Sequence, residues 1–198
     1  MKTALIILNG ECKDYTFLKE LSIKTNYIIC ADGGYNHAMN AGITPDLILG
    51  DFDSSIFPEN VSAEIKVYPV KKDMTDGEIA INEAKSRGFN KIILTCALGG
   101  RQDHTLANLM LLDENIIISE KTEEVNLTSK DFYLNVPVNT IFSIIPVEKS
   151  NISVNGAVYS LENKDVMWGS SLTLSNVSSS ETVEIKVKYG KILIFVNK

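Results

Sequence analysis

The sequence predicts an α/β domain followed by a small all-β domain, and three observations carry that expectation. Short β-branched runs alternate with amphipathic stretches through the first part of the chain, as layers of strand and helix require. Beyond about Lys121 the texture changes: Thr, Ser, Val and Asn dominate, and each apolar run is short and broken by turn residues. The 198 residues, 44% of them hydrophobic, hold enough apolar material for one large core or two small ones.

In order along the first part, strands are expected at Ala4–Leu8, Tyr27–Ala31, Leu47–Leu49, Ile65–Val67 and Lys91–Cys96. Between them the pattern predicts helices at Tyr15–Lys24, Tyr35–Asn40, Asp76–Arg87 and Asp103–Leu112. The third helix is the best marked, with Ile79, Ala80, Glu83 and Ala84 at helical spacing and Gly88 where a C-terminal cap belongs. In the tail, strands are expected at Phe132–Val136, Thr140–Ile145, Ile152–Val154, Ala157–Ser160, Ser171–Leu174, Thr182–Lys188 and Ile192–Val196. Asn155-Gly156 and Tyr189-Gly190 mark two of the turns. The tail therefore reads as an antiparallel sandwich or barrel, with domains at 1–125 and 126–198 and a junction near Lys121 to Lys130.

Charge and cysteine usage narrow the function classes. A balance of 19 Lys+Arg against 25 Asp+Glu gives a net charge of −6, which argues against nucleic acid or an anionic membrane as partner. An acidic chain that handles phosphates needs borrowed positive charge, and a divalent metal supplies it. The start, Met1-Lys2-Thr3 before the short apolar run Ala4–Leu8, lacks the long apolar region of a signal peptide, and no run reaches a membrane-spanning length. Cys12, Cys30 and Cys96 are odd in number and widely spaced, so we expect buried thiols in a reducing cytoplasm rather than disulfides or a zinc site.

Four segments carry candidate chemistry, at the strand ends where open α/β sheets bind ligands. Ala31-Asp32-Gly33-Gly34 runs from a strand into a glycine pair and a helix; it reads as a common turn or as a close backbone approach to an anion. In Gly50-Asp51-Phe52-Asp53-Ser54 the two acids project the same way from an extended segment and repel unless a cation such as Mg²⁺ lies between them; otherwise this is a solvated turn. In Lys72-Asp73-Met74-Thr75-Asp76-Gly77-Glu78, Thr75 and Glu78 form a capping box, which leaves Lys72 and Asp73 unexplained. In Gly99-Gly100-Arg101-Gln102-Asp103-His104, Arg101 can fork onto phosphate oxygens while Asp103 holds it or caps the next helix. His104 reads as structural, as an orienting donor or as a general base, and neither a Walker lysine motif nor G-x-G-x-x-G is present.

Taken together, ADGG with Asn36, PDLILGDFDS from Pro45 to Ser54, KDMTDGE from Lys72 to Glu78 and GGRQDHTLAN from Gly99 to Asn108 resemble the thiamine pyrophosphokinases in order and context. The resemblance extends through Gly156–Leu161 and Trp168–Asn176 and so covers nearly the whole chain. It implies a Rossmann-like α/β catalytic domain, a carboxy-terminal thiamine-binding β-sandwich, and transfer of diphosphate from MgATP to the thiamine hydroxyl, giving thiamine diphosphate and AMP. It further implies Mg²⁺ as cofactor and a homodimer with active sites at the interface. By residue it implies Asp51, Asp53 and Asp76 as metal ligands and Asp73, Asp76 and Arg101 as catalytic groups. Asp32, Gly33, Gly34, Asn36, Lys72, Arg101, Asp103, His104 and Asn108 fall on the nucleotide side, and Asp76, Trp168, Ser175 and Asn176 on the thiamine side. Leu172-Thr173-Leu174 departs from the glycine or arginine that members often place before the Ser-Asn pair. Competing readings are a diphosphokinase for another alcohol such as a pterin, a thiamine sensor, and metal-dependent nucleotide hydrolysis.

Overall fold

The computed structural model describes residues 2–51 and 62–198. They form two compact units, one ending at Lys121 and one spanning Thr122–Lys198.

The first unit runs β1 (Thr3–Ile7), α1 (Tyr15–Ile23), β2 (Tyr27–Ala31), α2 (Gly34–Ala41), β3 (Leu47–Gly50), β4 (Glu64–Val67), α3 (Asp76–Ser86), β5 (Lys91–Thr95), α4 (Gln102–Met110) and β6 (Ile116–Ser119). The strands pair in parallel in the order β6-β5-β1-β2-β3-β4. A central parallel strand is covered on both faces, so Leu5, Ile6 and Ile7 are all fully buried and the strand reads as an unbroken apolar run. On one side α1 and α2 pack Leu18, Leu21, Tyr35 and Ala38 against Leu5, Ile7, Cys30 and Ile48. Helix α3 lies against β1, β2 and β3 and buries Ile79, Ala80 and Ala84.

Local chemistry sets the helix ends. The Asp14 carboxylate accepts the Thr16 and Phe17 N–H groups at the start of α1, and Thr75 Oγ1 accepts the Glu78 N–H at the start of α3. After α3, Gly88 takes the left-handed conformation (φ +81°) that ends a helix at least cost. No described helix is long and apolar enough to cross a membrane. Because the chain steps outward from β1 through β2 to β3 and returns to β5 on the other side of β1, a crevice opens at the carboxyl ends of β1 and β5.

The second unit contains β7 (Glu123–Thr128), β8 (Phe132–Asn135), β9 (Ile141–Pro146), β10 (Ser150–Asn155), β11 (Leu161–Val166), β12 (Asn176–Val177), β13 (Thr182–Tyr189) and β14 (Ile192–Asn197). Its strands lie in two antiparallel groups, β12-β9-β14-β7 and β11-β10-β13-β8, whose inward residues Phe142, Ile144 and Ile194 meet Leu134, Ile152 and Val183 in one core. This is the expected β-sandwich.

Two expected strands are not strands. Ala157–Ser160 contributes only an isolated bridge, Ala157 to Ser178, and Ser171–Leu174 is a turn in which Thr173 is buried and donates its hydroxyl to the Ile144 carbonyl. Leu172 and Leu174 stay about half exposed, so their alternation with Thr173 reflects a pinned loop and not a sheet face. Conversely, β6 and β7 occupy the region around the expected junction, and β11, LENKDV, is a strand of almost wholly polar sequence. As an edge strand with one neighbour, β11 needs little apolar character.

Candidate active site

Strands β1, β2 and β3 each deliver one polar side chain just past their ends, Asn9, Asp32 and Asp51. After β1, the Asn9 amide Nδ2 donates to Asp32 Oδ2 at 3.3 Å, and the Gly10 N–H donates to the Cys96 carbonyl at 2.7 Å. His37 Nε2 donates to the Gly10 carbonyl at 2.9 Å and so fixes the same loop from α2. After β2, Asp32 sits in the left-handed region at φ +48°, with its N–H on the Leu49 carbonyl. A Cβ on Gly33 would overlap the Asn9 side chain, and one on Gly34 would overlap the Ile7 carbonyl. The glycine pair is therefore demanded by close packing between the end of β1 and the start of α2.

After β3 comes Asp51, and from the segment before α3 comes Lys72, whose ammonium lies 3.3 Å from Asp51 Oδ2 and 3.1 Å from Asp76 Oδ1. The contact to Asp76 is at ion-pair distance but outside hydrogen-bonding direction, and the buried Oδ1 accepts no directed hydrogen bond. Burial raises the Asp76 carboxyl above its ordinary range against the pull of Lys72, and the charges of Asp51 and Asp32 push it further the same way. For Lys72 burial works downward, but Asp76 and Asp51 outweigh it and leave the ammonium held above its usual range.

After β5, Cys96 takes a positive φ of +51° and turns the chain into Ala97-Leu98-Gly99-Gly100. Glu120 accepts the Ala97 N–H at 2.8 Å, Asn108 Nδ2 donates to the Ala97 carbonyl at 2.7 Å, and Thr105 Oγ1 donates to the Gly99 carbonyl. Arg101 is largely exposed and donates through Nε and Nη2 to Asp103, whose carboxyl these bonds hold below its ordinary range.

These groups line one cavity of about 460 Å³, with Asn9, Asp32, Asp51, Lys72, Asp76, Arg101, His104 and Asn108 as its polar wall. Leu8, Val70, Met74 and Ala97 supply its apolar lining. Among the described residues no three acidic, imidazole or thiol groups form a ready-made metal cage.

The cavity thus gathers seven of the residues singled out from sequence: Asp32, Asp51, Lys72, Asp76, Arg101, His104 and Asn108. Gly33 and Gly34 support it from behind, while Asn36, Asp73 and Asp103 do not line it. Asp53 lies outside the described residues. Trp168, Ser175 and Asn176 belong to the second unit. There Trp168 is 65% exposed, which excludes a core role, and Asn176 is buried with its amide bracketing Tyr159 through both N–H and carbonyl. Sequence reasoning missed Asn9, Val70, Met74 and Glu120. Asn9-Gly10 was findable, since it follows β1 as Asp32 follows β2 and Asp51 follows β3.

Comparison with known proteins decides the family. A sequence profile of the thiamin pyrophosphokinase catalytic domain matches residues 18–124, and one of the thiamin pyrophosphokinase vitamin B1 binding domain matches residues 124–192. The chain belongs to the thiamine pyrophosphokinase family. It is accordingly an enzyme that makes thiamine diphosphate. Thiamine pyrophosphokinase of Bacillus subtilis is 27% identical over 89% of each chain, and thiamin pyrophosphokinase 1 of Caenorhabditis elegans is 27% identical over 91% of this chain and 84% of its own. The crystal structure of the Bacillus subtilis thiamine pyrophosphokinase superposes with a TM-score of 0.85 at 22% identity, covering 100% of this chain and 99% of that one, which establishes a common thiamine pyrophosphokinase fold.

Proposed function

We propose that this chain transfers a diphosphoryl group from MgATP to the hydroxyl of thiamine, the hydroxyl oxygen attacking the β-phosphorus and AMP leaving. The observation that carries the reading is the convergence of Asp32, Asp51 and Asp76 on one cavity with a single lysine between two of them. Diphosphoryl transfer needs positioning and charge neutralisation more than covalent help, and that cavity is built for both.

Asp51 and Asp76 fit a divalent ion of the Mg²⁺ type: both are oxygen donors, both already share one cation, and Mg²⁺ is commonly held by one or two carboxylates with water and substrate phosphates completing its shell. Asp53 belongs with them by the family motif. When bound, Mg²⁺ supplies charge neutralisation on the phosphates. Lys72 supplies a second positive charge within the cavity, and Arg101 one at its mouth, oriented there by Asp103. Of the two acids considered for the hydroxyl proton, Asp76 lines the cavity and Asp73 is exposed away from it, so Asp76 is the acceptor within reach. Val70 and Met74 offer the flat ring of a substrate an apolar seat.

The same reading takes the chain as a cytoplasmic homodimer with active sites at the interface. It is supported by three thiols without disulfide partners and, in the second unit, by exposed Met167, Trp168, Leu172 and Leu174, apolar groups suited to a second copy or to the vitamin.

Incubation with MgATP and thiamine followed by chromatography tests the chemistry. Thiamine diphosphate and AMP in equal amounts are expected; ADP with thiamine monophosphate would replace this mechanism by γ-phosphoryl transfer.

A further inference from the structure

Lys72 is placed oddly for a residue that only binds a substrate phosphate. Although it lines the cavity, its side chain is only 13% exposed and its ammonium contacts Asp51 and Asp76, which are themselves only 14% and 23% exposed. The two acids that fit a divalent ion are thus bridged by the chain's own monovalent one. The bridge is loose at both ends: the bond to Asp51, at 3.3 Å, is long for a charge-assisted hydrogen bond, and the 3.1 Å contact to the buried Asp76 Oδ1 lies outside hydrogen-bonding direction. Lys72 also lies in the irregular segment between β4 and α3, on a four-carbon stem that lets a compact charge swing without moving the backbone.

We propose that Lys72 is a displaceable internal counter-ion: it bridges Asp51 and Asp76 in the chain as it stands, yields that place to Mg²⁺, and is thereby turned toward the incoming phosphates. The proposal rests on the reading that Asp51 and Asp76 hold the metal. One side chain would then perform two tasks in sequence, keeping like charges together before the metal arrives and serving the substrate afterwards. Metal loading and readiness for phosphate become a single event.

The test needs neither nucleotide nor thiamine. Mn²⁺ binding to the free protein is measured by titration calorimetry for the wild type, Lys72→Met and Asp51→Asn. Exchange predicts that Lys72→Met binds Mn²⁺ about tenfold more tightly, because the competing cation is gone, while Asp51→Asn loses the site. Unchanged or weaker binding in Lys72→Met, with Asp51→Asn still losing the ion, would overturn the exchange and leave the metal reading standing. Wild-type binding indifferent to Asp51→Asn would overturn both. A second measurement uses the wild type alone: acetic anhydride labelling of Lys72, read by peptide mass spectrometry, should rise several-fold on adding MgCl₂ as the amine leaves its acids. Labelling that stays level or falls contradicts the proposal.

Discussion

Helix α3 carries a charged cluster at each end, and the two differ in what shifts their acids. At its C-terminal end Glu83 accepts from Lys66 Nζ at 2.7 Å and from Arg87 Nε at 2.7 Å, while Arg87 also reaches Glu64 and the Tyr27 hydroxyl. Those bonds, Lys66's first, hold the Glu83 carboxyl below its ordinary range. At the N-terminal end one lysine serves two acids, and burial drives Asp76 the other way. Both clusters look alike as a list of charges. The two carboxyls are shifted in opposite directions, Glu83 by its cationic partners and Asp76 by burial, so the network that fastens α3 to β4 and Tyr27 differs electrostatically from the cluster that lines the cavity.

The sharpest way to break this comparison is to neutralise one acid at each end. Asp51→Asn should lower kcat about 100- to 1,000-fold, as loss of a group acting on developing charge does, with an unchanged melting curve. A variant with near-normal turnover would remove Asp51 from the chemistry. At the other end Arg87→Ala should do the reverse, costing about 1–2 kcal/mol in denaturant unfolding, since the side chain is partly exposed, and sparing kcat. A large loss of kcat at full stability would merge the two clusters into one functional unit. Thr75→Ala removes the cap of α3 and should cost about 1 kcal/mol with a modest rise in KM, because the capped turn carries Asp76.

The smallest effect sharpens the contrast through pH. Glu83, with its folded-state value depressed, contributes stability that is present above the ordinary glutamate range and lost as pH falls through the folded value. Asp76, with its value raised, acts oppositely: its contribution is complete below the ordinary aspartate range and is lost as pH rises through the folded value. Glu83→Gln should therefore flatten the acid-side fall in unfolding free energy, while Asp76→Asn should remove a loss that appears on going from acid toward neutral pH. Unfolding curves across that range decide it, and identical profiles for the two variants would refute the distinction.

Much of this was legible in the residues, for reasons that differ by region. The parallel strands announce themselves because burial on both faces forces apolar runs such as Ala4-Leu5-Ile6-Ile7, and α3 because Thr75 and Gly88 punctuate it. Strand β11 hides because an edge strand facing water obeys no apolar pattern, and the Ser171–Leu174 turn misleads because Thr173 is anchored by its hydroxyl. At the site, Asp32 and Asp51 stood out as acids at strand ends and Lys72 as a charge that the capping box left unexplained, whereas Asp76 was equally well read as a first-turn acid suited to the helix dipole. Asn9 did not stand out, since an amide in a turn is unremarkable until its partner is known to be Asp32, twenty-three residues away. Glu120 was equally silent, being a bracket for the Ala97 N–H across two neighbouring strand ends.

The turn at Asp32-Gly33-Gly34 carries a consequence for how this chain tolerates change. Asp32 is held at a positive φ, Gly33 is sealed by Asn9, and Gly34 by the Ile7 carbonyl. A randomised library over these three codons, selected for growth that depends on the enzyme, should return little but the parental triplet, whereas one over the neighbouring exposed Asn40 should return nearly anything. The location of the active centre is thus inscribed in the backbone's steric allowances, where a genetic screen blind to chemistry would find it.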